Sequence, residues 1–580
     1  MYMVHKFIAF TLALTLLSGC TAVLPDEKTE GQASNTEDPV ISTVADPADM
    51  FSGRDFETDY DVSKCKKITL TGETVHIQEE GTYILSGILE DGQIVVNGEN
   101  THKIRLILDG VNIHSSNSAA IFIQQADKVF ITTAKGTENI LRNGGSFEET
   151  EYDIDAAVFS KEDLTLNGEG SLTIESPAGH GVVSKDDLAV TGGNYVVTSA
   201  GHGFAGKDSV RIAGGTFSVT AGKDGIHAEN NDDTTLGFGY FSGGSFRISA
   251  EGDGISASNS LLITGGDYQI TAGGGSENGA KANSGNYGGF PGGGRPGGGR
   301  PGGRDNTGST QTDENSTSMK GVKAGGDLTV QNGTFQINAA DDGVHSNTNL
   351  TVNGGSFHIA TGDDGFHAEE TLTVTSGEIT ITESYEGLEG HHIVLSGGEI
   401  HLIARDDGLN AAGGVDSSGM GGRDQMFGGP GGPGGMGRGD GSIVISGGTL
   451  YVQASGDGID ANGTLKIIGG STTVCGPTQG DTATLDYDVS ATISGGTFIG
   501  TGGSGMAQSF SDSGQGVIAL RVGNCKANTQ IILTDADGNK ILSASPKLDF
   551  AVVILSSSDI VKGESYTITI GTQSGTFQAS

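Results

Sequence analysis

The hydrophobic residues of this chain alternate with polar ones in short segments, and these segments recur at a nearly constant interval. Examples are "TFSVTA" at residue 216, "SFHIAT" at 356 and "TLYVQA" at 449, each with an apolar residue at every second position. Alternation with a period of two predicts β-strands. The glycine pairs that precede the segments stand 21 or 22 residues apart where nothing is inserted. A strand period nested in a longer repeat predicts a solenoid with one coil per repeat.

Each repeat contains three short strand patterns joined by turns, and no helical pattern occurs anywhere in the chain. The sequence therefore predicts an all-β fold, a parallel β-helix with about 22 residues per coil. The coils are expected over residues 61–500, with glycine-rich insertions at about 274–318 and 413–441. The repeat lapses after residue 500. Residues 501–580 are expected to form an antiparallel β cap, because a bare last coil would expose an open strand edge.

The N-terminus has the pattern of a bacterial lipoprotein signal. Lys6 precedes an apolar run from residue 7 to 17, and "LSGC" ends at Cys20. This pattern predicts a signal peptide over residues 1–20, with cleavage before Cys20 and lipidation of that residue. Residues 21–60, rich in Thr, Asp, Glu and Pro, are expected to form a flexible tether. The expected location is extracellular, as a lipoprotein anchored at the cell surface; the alternative is an ordinary cleaved signal.

The composition narrows the possible partners. The chain has 71 acidic and 32 basic residues, a formal net charge of -39, 100 glycines and no tryptophan. Nucleic acid and anionic membrane surfaces are poor partners for so acidic a protein, so membrane contact is expected only through the lipid anchor. Three further cysteines are present, and Cys475 with Cys525 is the more plausible disulfide pair, although sequence does not fix connectivity.

One turn of each repeat places an ionisable residue directly before a glycine. In "GDDGFHAEETLTV" at residue 362 this residue is Asp364, and 22 residues separate it from Asp342 and from Glu386. Residues at the coil period should form a single column along one edge of the solenoid. The column residues are His180, His202, Asp224, Asp253, Lys320, Asp342, Asp364, Glu386, Asp407 and Asp457.

Carboxylates in such a column would stand about 5 Å apart, so they require raised pKa values or a shared cation. A dense set of oxygen ligands suits Ca²⁺ better than Zn²⁺ or Mg²⁺. The alternative is a solvated column in which Asp-Gly supplies only turn chemistry. The candidate calcium ligands are Asp341, Asp342, Asp363, Asp364, Glu386, Glu389, Asp406, Asp407, Asn410, Asp457 and Asp460.

Two lysines interrupt the acidic column, Lys320 and Lys323 in "MKGVKAGG". One interpretation is an ion-pair plug that neutralises the neighbouring carboxylates. The other is a cationic contact for a substrate carboxylate, or a general base beside calcium.

Three of the longer stretches of the chain are "LDGVNIHSSNSAAIFIQQADKVFITTAKGTENIL" at 108, "KGVKAGGDLTV" at 320 and "YEGLEGHHIVLSGGEIHLIARDDGLNAAGG" at 385. They resemble a known family, the secreted bacterial "carbohydrate-binding domain-containing" β-helix proteins. The resemblance implies a right-handed parallel β-helix, bound calcium, and binding of plant cell-wall polysaccharide such as cellulose or polygalacturonate. The fold also resembles that of calcium-dependent pectate lyases.

Three functions are consistent with these features. The favoured hypothesis is calcium-dependent, non-catalytic binding of plant cell-wall polysaccharide, because calcium can bridge an acidic protein to an anionic uronate chain. A polysaccharide lyase with Lys320 or Lys323 as the base is the alternative, and a structural surface protein is the second alternative. Tyrosine and phenylalanine are too scattered in the sequence to identify a platform for sugar stacking.

Overall fold

The computed structural model describes residues 50–279, 318–412, 439–477, 480 and 482–580. Within these ranges the regular structure is β-strand apart from three single-turn 3₁₀ helices, Gly53–Phe56, Val62–Lys64 and Ser276–Asn278. In the same ranges, no helix combines the length and hydrophobicity needed to cross a bilayer. The predicted signal peptide, the lipidation site Cys20 and the central parts of the two glycine-rich insertions lie outside the described residues.

Each coil passes through three strands in turn, and each strand pairs in parallel with its counterpart in the next coil. In one coil these strands are Asn349–Val352, Ser356–Thr361 and the first part of Phe366–Val374. Phe357 aligns with Phe335 of the preceding coil, 22 residues earlier. The counterparts build three long parallel sheets, which we call sheets 1, 2 and 3 in the order in which the chain visits them. The predicted parallel β-helix is confirmed.

Six long strands bend through a corner and contribute to two sheets each, and they are given under both. Sheet 1 contains Lys66–Leu70, Gly81–Leu89, Lys103–Ser115, Lys128–Thr133, Asp163–Gly168, Asp187–Val190, Ser209–Ile212, Phe238–Phe241, Leu261–Ile263, Leu328–Val330, Asn349–Val352, Phe366–Val374, Leu388–Leu395, Gly441–Ile445, Gly463–Cys475, Ser490–Gly502 and Asp512–Ser513. Sheet 2 contains Gly81–Leu89, Lys103–Ser115, Glu138–Asn143, Ser171–Ser176, Asn194–Ser199, Thr216–Ala221, Ser245–Ala250, Asp267–Ala272, Thr334–Ala339, Ser356–Thr361, Glu378–Glu383, Glu399–Ala404, Thr449–Ala454, Gly463–Cys475 and Ser490–Gly502. Sheet 3 contains Val75–Ile77, Ile94–Asn97, Ile121–Gln125, Ala156–Ser160, His180–Ser184, Phe204–Gly206, Ile226–Ala228, Ile255–Ala257, Val322–Ala324, Val344–Ser346, Phe366–Val374, Leu388–Leu395, Leu409–Asn410, Ile459–Ala461 and Asp486–Tyr487.

The interior of the coils is one continuous apolar core, to which the inward-facing residues of all three sheets contribute. The aromatic residues that looked scattered in the sequence are collected there. Rings in successive coils of sheet 2 stack with centroids 4.5 to 5.2 Å apart. Such buried stacks add to the energy of area burial and favour the in-register pairing of coils. The stacked residues are Tyr195, Phe217, Phe246, Tyr268, Phe335 and Phe357.

The glycine after each column residue lies at the corner between sheets 2 and 3 and is required by close packing. A Cβ atom on Gly365 would lie 2.4 Å from Cδ1 of Ile381 and 2.6 Å from the carbonyl oxygen of Gly387. The backbone amide of Gly365 donates to the carbonyl of Glu386 in the next coil, at 3.0 Å. Glycine therefore allows adjacent coils to approach closely enough to make this hydrogen bond.

The column side chains add a second set of hydrogen bonds between coils at the same corner. Oδ1 of Asp342 accepts the backbone amide of Asp364 at 3.1 Å, and Oδ1 of Asp364 accepts that of Glu386 at 3.2 Å. Asp253 accepts the amide of Lys320 in the same way, at 2.7 Å. The acid before the glycine thus satisfies a backbone donor of the next coil. This role explains its regular recurrence without any bound ion.

Imidazoles replace carboxylates in the earlier coils of the column. Nδ1 of His180 accepts the amide of His202 at 2.8 Å, and Nδ1 of His202 accepts that of Asp224 at 3.2 Å. The rings of His180 and His202 stack at 4.8 Å, and those of His202 and His227 at 4.1 Å. Burial and the adjacent His227 lower the pKa of His202 to about 3, so this ring is a neutral acceptor.

His227, by contrast, is held as a cation by two carboxylates. Its Nδ1 lies 2.7 Å from Oδ2 of Asp224, and its Nε2 lies 3.2 Å from Oε2 of Glu229. Burial opposes the charge, but these hydrogen bonds outweigh it and raise the pKa of His227 to about 9.

Beyond the last coils, the chain changes to antiparallel pairing. Phe550–Ser556 pairs antiparallel with the sheet 2 end of Ser490–Gly502 and with Val517–Cys525. A separate sheet contains Lys540–Ala544, Ile531–Thr534, Ser565–Ile570 and Gln573–Gln578 in that spatial order. The C-terminal strands therefore cover the strand edge that a bare solenoid would expose, as the fold prediction required.

The predicted tether requires a correction at its C-terminal end. Met50 and Asp55 are buried, and Asp55 pairs with Lys128 at 3.0 Å and accepts a hydrogen bond from Thr165. Arg211 also donates to the carbonyl of Met50 at 2.9 Å. Residues 50–60 therefore pack against the outer face of sheet 1, because a buried carboxylate and apolar contacts hold them there. Residues 21–49 lie outside the described residues.

The described cysteines, Cys65, Cys475 and Cys525, are free thiols. The disulfide considered between Cys475 and Cys525 is not formed. Cys475 is buried on the strand Gly463–Cys475, whereas Cys525 ends the cap strand Val517–Cys525.

Replacing Gly365 with alanine should lower the free energy of unfolding by about 1–3 kcal/mol, because the added methyl overpacks the core and collides with the backbone of the next coil. Gly53→Ala is the control, since a Cβ there meets nothing within 4 Å. Denaturant unfolding followed by circular dichroism measures both. Equal stability of the two variants would contradict the packing argument.

Stability should fall as the pH rises from 6.5 to 9.5, because His227 loses its proton in this window. Its folded pKa of about 9 lies above the ordinary value of 6.5, so its contribution is complete below pH 6.5 and disappears as the pH passes 9. The effect is at most about 3 kcal/mol. Thermal melts measure this for the wild type, for His227→Gln and for His76→Gln, a control at an exposed site. The melting temperature of His227→Gln should depend less on pH than that of the wild type, and His76→Gln should match the wild type. An unchanged profile in that variant would argue against the ion pairs.

Candidate functional site

The predicted calcium ligands lie at or next to the corner before the sheet 3 strands, but five of the ten column residues are buried and the other five are half-buried. Asp342 and Asp364 have no exposed surface, Asp253 is 2% exposed and Glu386 is 6% exposed. Burial of a carboxylate is costly unless a cation or hydrogen bonds compensate it. The stability of each part of the column therefore depends on the cations and hydrogen-bond donors that lie next to its carboxylates.

Lys320 neutralises the buried carboxylates of Asp341 and Asp342. Its Nζ lies 2.7 Å from Oδ2 of Asp342 and 3.0 Å from Oδ2 of Asp341, and the lysine is only 4% exposed. Burial alone would raise the pKa of Asp342, but Lys320 and His345 hold it well below its usual range. Carboxylate oxygens of Asp341, Asp342 and Asp363 all lie within 4.8 Å of one another, so an ammonium already stands in this predicted site. The geometry favours the ion-pair interpretation of Lys320 over the general-base interpretation.

Lys323 has a different environment from Lys320. It lies on the strand Val322–Ala324, with Nζ 3.2 Å from Oγ of Ser318 and 3.9 Å from Oδ2 of Asp253. Its side chain is partly exposed. Burial and the neighbouring Asp224 raise the pKa of Asp253 to about 6, against the opposing charge of Lys323. Of the two lysines, only Lys323 is accessible to a ligand.

Two histidines occupy the next coils, three residues after column members. His345 and His367 stack with ring centroids 4.7 Å apart. Nδ1 of His345 lies 2.8 Å from Oδ2 of Asp342, and Nδ1 of His367 lies 3.0 Å from Oε2 of Glu389. Burial and Lys320 lower the pKa of His345. Burial acts in the same direction on His367, but Asp364 and Glu389 outweigh it and raise its pKa well above the usual range. His367 therefore supplies the cation for Asp364 and Glu389.

Beyond His367, the next two column residues are Glu386 and Asp407. No ion pair joins Glu386 or Asp407 to a basic side chain within the described ranges. Asn410 donates from Nδ2 to Oε2 of Glu386 at 2.9 Å. Burial and the charges of Glu389 and Asp364 nevertheless raise the pKa of Glu386 well above its usual range. Glu386 therefore takes up a proton more readily than an ordinary carboxyl group.

The next two coils also bring several acids together, and these acids are half-buried. Oxygen atoms of Asp407, Asp457 and Asp460 lie within 4.8 Å of one another. Burial, followed by the charges of Asp406 and Asp457, raises the pKa of Asp407 well above its usual range. Asp457 also accepts the backbone amide of Ala483, so one of its oxygens has a structural role.

This downstream cluster, defined as Glu386, Asp406, Asp407, Asp457 and Asp460, fits a hard divalent cation. Its donors are all oxygen, and its last members are half-buried and therefore reachable from solvent. Such a donor set suits Ca²⁺, which accepts irregular carboxylate geometry. The groups that contain His345 and His367 fit calcium less well, because imidazole nitrogen is a softer ligand. Calcium ligation by any of these residues stays a prediction.

The sequence interpretation missed one ionisable group. His202, Asp224 and His227 place donor atoms within 4.8 Å of one another, yet His227 was not among the candidate residues. It stands three residues after Asp224, the same offset that relates His345 to Asp342 and His367 to Asp364. Applying this offset to every coil would have found it. Its paired carboxylates and stacked ring assign it a structural role.

Two relatives share part of the chain. A "Carbohydrate-binding domain-containing protein" from Acetivibrio thermocellus is 37% identical over 133 residues, which cover 22% of this chain and 46% of the relative. The chain thus spans about half the length of this curated relative. A solved structure, described as the polysaccharide lyase-like protein from C. thermocellum in a gadolinium derivative, is 33% identical. It covers 36% of this chain and 91% of its own, with a TM-score of 0.35.

A family model covers far more of the chain than either relative. The model described as "Carbohydrate-binding domain-containing protein" matches residues 71–365 and 363–576. The two matches together span the coils of the β-helix and nearly all of the C-terminal cap. The chain therefore belongs to the carbohydrate-binding domain-containing protein family.

Proposed function

We propose that this protein is a non-catalytic, calcium-dependent binder of plant cell-wall polysaccharide, and of polygalacturonate in particular. The observation that carries the proposal is the downstream cluster, in which oxygens of Asp407, Asp457 and Asp460 lie within 4.8 Å of one another, in a member of a carbohydrate-binding family. A protein of net charge -39 repels a uronate chain unless a cation stands between them. A calcium ion held by carboxylates of the protein can also accept carboxylates of the polysaccharide.

The position of the cluster supports this role. Asp407, Asp457 and Asp460 are half-buried, so the protein can supply some ligands and leave others to solvent or to a bound chain. The group formed by Asp341, Asp342 and Asp363 is a weaker candidate for a calcium site. The ammonium of Lys320 already lies within ion-pair distance of both Asp341 and Asp342. We therefore assign calcium to the downstream cluster, with Asn410 and Glu389 at its border.

The lysines argue against the lyase alternative. A general base must be unprotonated and within reach of its substrate. Lys320 is buried and paired with two carboxylates, which stabilise the ammonium form. Lys323 is accessible, but it lies on a sheet 3 strand several coils before the downstream cluster. The lysines and the proposed calcium are therefore not arranged as one reaction centre.

The proposed cellular location rests on the sequence alone. Lipidation at Cys20 would place the protein on the outer surface of the cell, where an extracellular polysaccharide is available. The anchor would be its only contact with the membrane.

Calcium should raise the melting temperature of the wild type and not of a double variant with Asp407→Asn and Asp460→Asn. Asparagine keeps an oxygen that can accept the ladder hydrogen bond, so the fold is retained while the charge is removed. Without calcium, this variant should be at least as stable as the wild type, because repulsion between the acids is reduced. Melting curves and calorimetric titration with CaCl₂ measure both effects.

Asp537→Asn, at an exposed turn of the cap, is the matched control and should respond to calcium as the wild type does. A double variant that keeps the full calcium response would remove the downstream cluster as the calcium site.

Wild-type protein should be retained on immobilised polygalacturonate in calcium and released by chelator, while the absorbance of unsaturated uronate stays constant. Retention and absorbance are recorded in the same samples. A rising absorbance that Lys323→Ala or Lys320→Ala abolishes would instead establish a lyase. If neither signal occurs but chelator still lowers the melting temperature, calcium is structural and the binding proposal fails.

A further inference from the structure

One exposed row of side chains on sheet 2 has a composition unlike the rest of the surface. The sheet register aligns Arg247 with Gln269, Gln336, His358, Thr380 and His401 in successive coils. We call these six residues the sheet 2 stripe. All except Thr380 have planar polar side chains, and all except Thr380 are exposed. Tyr451 continues the row, and its ring stacks on His401 with centroids 4.5 Å apart.

The first part of the stripe lines a shallow groove of about 410 Å³. Arg247, Gln269, Gln336 and His358 lie along it, each from a different coil. The side chain of Asn338 borders it and accepts the backbone amide of Ser276 at 2.7 Å. This bond attaches the short helix Ser276–Asn278 to Asn338 and so helps to fix the Asn338 side chain at the border of the groove.

The stripe contains no carboxylate although the protein has a net charge of -39. The acids of this face, such as Asp267, Glu378 and Glu399, belong to the parallel row nearer the corner with sheet 1. Arg247 forms no ion pair with a carboxylate in the described part of the chain. Its guanidinium is therefore available to an external anion, and a guanidinium matches a carboxylate with two parallel hydrogen bonds.

We propose that the sheet 2 stripe is the surface on which an extended uronate polysaccharide chain lies, parallel to the axis of the β-helix. This inference rests on the proposed function and locates the polysaccharide contact on a second face, away from the downstream cluster. Arg247 pairs with a uronate carboxylate, and the amides and imidazoles of the following coils exchange hydrogen bonds with sugar hydroxyls.

The geometry of the solenoid explains why such a chain fits. Adjacent coils rise by about 4.8 Å, which is comparable to the length of one pyranose residue, so each coil offers one side chain per sugar. Individual contacts of this kind are weak, but contacts in successive coils add because the first one holds the chain beside the next. Arg247 contacts a uronate carboxylate directly, whereas calcium at the downstream cluster is still needed to offset the net charge of the protein.

The test compares retention of the full-length protein on polygalacturonate, in calcium, for wild type, Arg247→Gln and the double variant Arg247→Gln with His358→Ala. We expect the dissociation constant to rise about tenfold for Arg247→Gln and further for the double variant. Lys466→Gln is the control, because it removes one exposed positive charge from the outer face of sheet 1. A second probe, fully methyl-esterified polygalacturonate, lacks the carboxylate and should bind wild type and Arg247→Gln equally.

The outcomes separate this inference from the proposed function. Wild-type affinities in the stripe variants, with wild-type melting curves, would overturn the inference and leave calcium-dependent binding standing. Equal weakening by Lys466→Gln would also overturn it, since only net charge would then matter. A wild type that retains no polygalacturonate would overturn both.

Discussion

Close backbone contact between adjacent coils is the constraint on which this structure depends. At the corner between sheets 2 and 3, a glycine in each coil lies against the glycine carbonyl of the next, with no room for a side chain. Because the backbones are so close, the residue before the glycine bonds to the adjacent coil and is buried or half-buried there. Ionisable residues at this position are thus brought together whatever their charge. Each buried charge then needs an opposite charge or a hydrogen-bond partner nearby.

The balance is achieved differently along the column. Neutral imidazoles accept backbone amides in the first coils, His227 pairs with Asp224, Lys320 pairs with Asp341 and Asp342, and His367 pairs with Asp364 and Glu389. Glu386 instead accepts a hydrogen bond from Asn410. A structural ladder and a cation site are therefore compatible functions of one column, because the same period that aligns structural acceptors also brings carboxylates of successive coils together.

The sequence predicts the coils well, because alternation and the 22-residue period are set by neighbouring residues. The column followed from the same period, including the pairing of Lys320 with its neighbours as one of two alternatives. Burial of the column could not be foreseen, since acidic residues at glycine turns usually face water. The packing of Asp55 against Lys128 and Thr165 was missed because these residues are far apart in the chain. The sheet 2 stripe was missed because its members alternate with core residues, and only the register aligns them.

The order of charges along the column has a consequence for how the chain selects its own alignment. Repeats of similar length and hydrophobicity could pair one coil out of step, since the inward residues of neighbouring coils are nearly interchangeable. Such a slip would set Asp253 against Asp342 and leave Lys320 without its acids. A buried like-charge contact is costly, so the misthreaded pairing is disfavoured even where its apolar core is as good. The charges of the column thus favour one register of the coils, as buried polar residues select one register in a coiled coil.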